Sequence, residues 1–481
     1  MGELNRRRRL LVLAICCMSL LIVGLDNTIV NVALPSIRRD LNASVSNLQW
    51  TIDAYTLVLA SFLMLSGSTA DRIGRRRIFQ IGLTLFSAGS LLCSIAPSVQ
   101  WLIAFRAMQA IGGSMLNPVA MSIITNTFTN PKERAQAIGV WGGVVGISQA
   151  LGPIVGGLLI DSIGWRSIFW INVPIGIAAI VLTFMFVPES KSPRPRRIDP
   201  VGQLLVIVGL ATLTYAIIEG PGFGWTSARI IGLFVVSVLA VIGLVLYERR
   251  RAEPLIDVRF FRSIPFSGAT VIAVCAFASL AGFLFVNTLY LQDVRGYSAL
   301  ASGLYTLPLA LMTVFFGPLS GRIVGARGPR VSLLVAGAGL LACALILTNL
   351  TNDTSMLLLI VAYLLFGIGF GTVNPPITNT AVSGMPIQQA GVAAAVASTS
   401  RQIGGSLGVA VIGSVVTGSI HGSLPAGLAS ASHIGWWIVA GCAVVIFCLG
   451  LLTTGRWAKR TAVTTMTQLA PEENLAGSAV R

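Results

Sequence analysis

Four ionisable side chains stand inside otherwise apolar stretches of this sequence: Asp26, Asp53, Arg106 and Arg401. A charge at the centre of a bilayer costs at least ~2.5–3.5 kcal/mol, so a function is the default reading of each. At ~1.5 Å per helical residue, Asp53 lies roughly 5 Å below Trp50, Arg106 roughly 8 Å below Trp101 and Asp26 roughly 14 Å below Pro35, which puts all three in one half of the membrane. Burial favours the neutral form of Asp26, whereas a nearby Arg106 favours the ionised form, and that opposition makes a switchable carboxylate. The plainer alternative is a buried ion pair that fixes helix register. Asp53, closer to water, suits a cationic ligand better than a proton. Arg401, with Gln402 beside it, either faces a central cavity as a substrate or proton-coupling group or snorkels toward an interface.

These residues need helices to hold them at depth. Of 481 residues, 54% are hydrophobic and 10% charged, against roughly 25% charged in an ordinary soluble domain. The composition excludes a soluble enzyme. Fourteen apolar runs long enough to cross ~30 Å of hydrocarbon as helices follow one another from 10–33 to 433–454, including 166–187 and 389–417. The fold expected is an all-α integral membrane protein of 14 transmembrane helices. The net charge of +16 is read as an orientation signal rather than a nucleic-acid face. With the amino end inside, 26 of the 33 basic residues fall in cytoplasmic segments, as the positive-inside rule requires. A multi-pass protein of the bacterial inner membrane with both termini cytoplasmic follows. Seven scattered cysteines and two histidines imply no metal site.

Three pairs of segments repeat within the chain: Leu65-Ser66-Gly67 with Gly74 and Arg76 as Leu319-Ser320-Gly321 with Gly328 and Arg330; Asn117-Pro118 as Asn374-Pro375; and Ser148, Gly152 and Gly156 as Ser400, Gly404 and Gly408. Each pair is eight spans apart. Two parallel-repeat six-helix bundles, 10–187 and 266–454, therefore flank an inserted two-helix segment at 188–265, with a cytoplasmic amino terminus at 1–9 and a disordered cytoplasmic tail at 455–481. Rocking one half against the other opens a site between them to each side in turn, so the chain reads as a transporter. No G-x-x-x-x-G-K-[ST] string exists to bind ATP, and no cofactor is called for.

Several strings then resemble the major facilitator superfamily, and within it the fourteen-helix drug:proton antiporters. Leu25-Asp26-Asn27-Thr28-Ile29-Val30-Asn31-Val32-Ala33-Leu34-Pro35 resembles that branch's first-span signature. Gly67 with Asp71-Arg72-Ile73-Gly74-Arg75 resembles the superfamily's loop between its second and third helices, and Arg106 with Gln109, Gly112 and Gly113 its fourth-span motif. Gly152-Pro153-Ile154-Val155-Gly156-Gly157 is similar to the fifth-span antiporter motif. In length and texture the chain also resembles lincomycin-type self-resistance exporters.

The resemblance implies a proton-coupled efflux transporter, not an enzyme, for a small lipophilic drug or antibiotic, cationic or neutral, with protons and the lipid bilayer as its other partners and a monomer as its working unit. Asp26 is expected to carry the proton, Asp53 to meet cations near the outer exit, and Gly67, Asp71, Arg72, Gly74 and Arg75 to form a cytoplasmic gate. Gly152, Pro153, Gly156 and Gly157 are expected to pack helices closely. An uptake symporter of the same fold and a membrane sensor that does not transport are the alternatives.

Overall fold

The computed structural model describes residues 5–192, 198–251, 254–383 and 385–469. Seven helices come first: α1 (Arg6–Leu41), α2 (Val45–Ile73), α3 (Arg75–Ser94), α4 (Val99–Thr127), α5 (Pro131–Ser162), the single turn α6 (Ser167–Trp170) and α7 (Asn172–Phe186). They pack mainly on one another, α3 and α2 against α4 and α1 against α5. The hairpin of α8 (Pro200–Phe223) and α9 (Ala228–Glu248) follows. The second group is α10 (Ile264–Leu289), α11 (Ala299–Arg327), α12 (Arg330–Leu347), α13 (Met356–Val382), α14 (Ile387–Gly418) and α15 (Leu424–Leu452), closed by α16 (Arg456–Leu469). Its packing repeats that of the first group, α11 and α12 against α13 and α10 against α14.

Local sequence sets the helix starts. Ser44 accepts the Asn47 amide at 3.1 Å, Asn130 the amides of Lys132 and Glu133 at 2.9 and 3.4 Å, and Asp199 the Gly202 amide at 2.9 Å, each satisfying donors that a first helical turn leaves free. Most spans outrun their apolar windows: α1 continues through Pro35 to Leu41. The span expected over 166–187 is broken at Ile171 into α6 and α7.

Among the described residues, thirteen helices are long and apolar enough to cross a membrane. The remaining expected span, 389–417, lies on the 32-residue α14. Rich in Gly, Ala and Ser and interrupted by Arg401 and Gln402, α14 falls short of the apolar content of the thirteen.

One expectation is corrected. Residues 456–469, read as part of a disordered tail, form α16, while 470–481 lie outside the described residues. Ala458, Ala462, Thr465 and Leu469 are its buried residues, and spacings of four, three and four place them on one helical stripe. That stripe packs on α10 and on the 3₁₀ turn Val258–Arg262. A short amphipathic pattern among polar residues was too weak a signal in the sequence.

Candidate functional site

The deepest polar cluster lies inside the first bundle. Arg106 Nη1 donates to Asp26 Oδ2 at 2.5 Å and to Gln109 Oε1 at 2.8 Å. Gln109 Nε2 and Asn172 Nδ2 donate to Asp26 Oδ1 at 2.9 and 3.3 Å, and Arg106 Nε donates to the Thr51 carbonyl at 3.3 Å. The guanidinium also lies 4.1 Å from the Tyr55 ring centroid, a stacking that spreads its charge. Asp26 is 0% and Arg106 2% exposed, so α1 and α4 are joined by an ion pair sealed from the space between the bundles. The pairing expected from depth alone is present. Asn172 and Gln109, the latter marked in the sequence only as a member of a motif, complete it. In the second bundle Tyr363, the repeat partner of Arg106, donates to Asn287 Oδ1 at 2.5 Å, so a neutral pair fills the place of the charged one.

The two bundles meet at their distal end, the end away from the amino terminus. Gln49 Nε2 donates to the carbonyls of Val409 and Ala410 at 3.0 and 3.3 Å and to Ser414 Oγ at 3.3 Å. Gln292 Nε2 donates to the Val32 carbonyl at 2.9 Å, and Arg38 pairs with Asp293 at 3.1 Å. Asp161 on α5 accepts the Ala299 and Leu300 amides at 3.3 and 2.9 Å, so a carboxylate of one bundle caps the first turn of a helix in the other. A Cβ added to Gly157 would stand 2.5 Å from Leu300 Cα, and Gly152 and Gly156 press on Thr28 and Ile29. Close packing at Gly152, Gly156 and Gly157 thus seats α5 on α1 and, at Gly157, on α11. Gly405 faces open space instead.

Asp53 belongs to this seam rather than to a watery exit. It is 0% exposed; Oδ1 accepts from Thr56 at 3.3 Å, and Ser406 of α14 is the hydroxyl across the seam that bears on the carboxylate. One turn away, Gln49 gave no signal in the sequence, because a lone glutamine on an apolar helix is common.

Toward the proximal end the bundles part. Added Cβ atoms on Gly139, Gly142 and Gly143 of α5, or on Gly321 and Gly325 of α11, would meet nothing within 4 Å. Between the open end and the seam lies a small apolar cavity. From α1 and α5 it is lined by Thr28, Gln149, Ala150 and Pro153, and from α10, α11 and α13 by Leu280, Leu284, Leu309 and Phe370 among others. Among the described residues, no charged side chain lines it. Such an apolar cavity with a few polar groups suits a small lipophilic molecule. Arg401 is half-buried on α14, and its donors reach Ser398 and Thr378. Asp26 and Asp53 are brought to the cavity by neither contact nor exposure.

At the proximal end, the turn between α2 and α3 is pinned to the segment after α7. Asp71 Oδ1 accepts from Arg75 at 2.8 Å, while the Asp71 carbonyl accepts the Ser192 amide at 3.0 Å. Arg75 and Arg76 donate their amides to the Ser190 carbonyl and Glu189 Oε1 at 2.9 and 3.1 Å. Gly74 sits at φ 135°, Glu189 against it, a backbone that a side chain would strain. Gly67 and Arg72 lie on α2 beside this turn. Asp71 thus pairs with an arginine one turn further along the chain.

A family model described as the major facilitator superfamily matches residues 16–409. The chain is 38% identical over 418 residues to the multidrug resistance protein Stp of Mycobacterium tuberculosis, covering 87% of this chain and 78% of that one. It is 37% identical to the tetracenomycin C resistance and export protein of Streptomyces glaucescens, covering 84% and 75%. A solved bacterial homologue of the human lysosomal transporter Spinster, inward-facing and occupied, superposes with a TM-score of 0.66 at 18% identity, over 96% of this chain and 99% of that one. Helical bundles, central cavity and sequence agree: the chain is a membrane transporter, not an enzyme, and belongs to the major facilitator superfamily.

Proposed function

We propose that this transporter is a proton-coupled efflux pump that confers resistance by carrying a small lipophilic drug or antibiotic out of a bacterial cell across its inner membrane. Both termini are placed in the cytoplasm, so the open proximal end faces the cytoplasm and the sealed distal end faces outward. The observation that carries the reading is the Gly152–Gly157 segment of α5, which seats on α1 and, through Gly157, backbone to backbone on α11. A tight seam against solvent is what an antiporter needs to prevent protons from leaking without drug. The relatives named for drug resistance and export support the direction of transport. A monomer suffices, since both bundles and the cavity come from one chain.

Asp26 is assigned the coupled proton. Arg106 holds it while ionised, and protonation releases Arg106 to its remaining partners, Gln109 and the Thr51 carbonyl. The two protonation states thereby favour different arrangements of α1 and α4. The turn at Gly67, Asp71, Arg72, Gly74 and Arg75 is assigned the cytoplasmic gate, and Asp53 meets substrate only when the seam opens. Antibiotic susceptibilities of a sensitive host with and without the gene, beside efflux with and without a protonophore, test the reading. Unchanged susceptibility to every drug in a broad panel would refute it, and a rise in drug accumulation on expression would point to uptake.

A further inference from the structure

Arg106 and Arg401, the two arginines read as lying inside apolar spans, are in opposite situations. Arg106 has a carboxylate at 2.5 Å. Among the described residues Arg401 is in no ion pair: its hydrogen-bond partners there are Ser398 Oγ at 3.4 Å and Thr378 Oγ1 at 2.5 Å, and its Nε has none. Thr378 is exposed, on the wall of the open proximal side. A guanidinium left partly desolvated without a counter-charge is costly, and an incoming anion relieves that cost. Both hydroxyls accept from Arg401, which leaves their own hydrogens free to donate. Among these groups the chemistry offered to a ligand is donation only, from a fork suited to a carboxylate.

An apolar path joins this group to the cavity. The Arg401 guanidinium lies 6.0 Å from the Phe277 ring centroid, and Phe277 packs edge-on to Phe370 at 5.2 Å. Phe370 lines the cavity with Leu280 and Leu284, which follow Phe277 by three and seven residues on the same face of α10. That spacing sets the cavity roughly 5–10 Å further along the helix.

We infer that Arg401, with Thr378 and Ser398, is an anion-binding subsite, and that the pump takes lipophilic aromatic acids, the acid on Arg401 and the ring body in the cavity beside Phe370. The inference rests on the export reading and adds acids to its substrates: among the described residues the cavity lining has no carboxylate, and the Arg401 group beyond Phe277 is positive.

The test uses pyrenebutyrate, whose short chain spans that spacing, and its methyl ester. Binding to the full chain in lipid nanodiscs is titrated by fluorescence and corrected against empty nanodiscs. The acid is expected to bind at least tenfold more tightly than the ester. R401Q should remove that preference and leave ester binding unchanged, which also shows that the variant is folded; R401K should keep part of it. Equal binding of acid and ester by the wild-type chain overturns the inference without any variant, as does a preference that survives R401Q. Ethidium export under a pH gradient, run on the same preparation, separates the two readings: its loss counts against proton-driven export, whereas export of ethidium with no preference for the acid counts against this subsite alone.

Discussion

Arg106 Nη1 stands 2.5 Å from Asp26 Oδ2, with neither side chain more than 2% exposed. A buried pair of this kind is weak evidence for stability, but breaking it by removing one partner costs ~3–5 kcal/mol. Asp26→Asn keeps an acceptor for Gln109 and removes the charge opposite Arg106. The variant is predicted to lose drug-driven proton movement for every substrate, read with a pH-sensitive dye in proteoliposomes, and to melt at lower temperature. A normal exchange rate would move the proton carrier elsewhere.

Asp53 tests the seam. Its carboxylate is fully buried beside Ser406 of α14, so a charge there works against a closed distal seam. Asp53→Asn, never charged, is predicted to hold that end closed and slow the release of every substrate. Distances between dyes on the distal ends of α2 and α14 would shift toward the short population. Impaired export of cations alone would restore Asp53 as a cation-recognition group.

Gly157 meets α11 backbone to backbone, whereas Gly405 meets nothing. Overpacking costs ~1–3 kcal/mol, so Gly157→Ala is predicted to weaken the closed seam and to raise proton leak roughly tenfold without drug. Gly405→Ala should leave the leak unchanged. Vesicle pH decay compares the two.

Asp71 pairs with Arg75 at 2.8 Å while 35% exposed, and an exposed pair contributes at most ~1 kcal/mol. Asp71→Asn is therefore predicted to leave stability and drug affinity nearly unchanged and to lower turnover. Affinity measured in detergent beside transport rate in vesicles reads the split; a collapse of affinity in folded protein would place Asp71 in the binding site.

The helices and the repeat were legible because hydrocarbon-length apolar runs and recurring Gly-containing strings are written directly in the sequence. The Asp26–Arg106 pair was legible from depth, since both residues measure their distance from an interfacial aromatic or proline. Depth does not give azimuth, however. That is why Asp53, at a shallow level, was assigned to water, although its side of α2 turns into the seam. Gln49, Asp161 and Gln292 escaped notice for a related reason: a polar residue that caps or bonds a helix of the other bundle has no local pattern. For α16, the marks were two alanines, a threonine and a leucine at helical spacing, too few to stand out from a basic tail.

The most direct test is drug flux into everted membrane vesicles with an imposed pH gradient, acid inside, and no ATP. The account predicts uptake of drug that collapses with a protonophore and that Asp26→Asn abolishes. Uptake that persists at the same rate without a gradient, or that requires ATP, would contradict proton-coupled export.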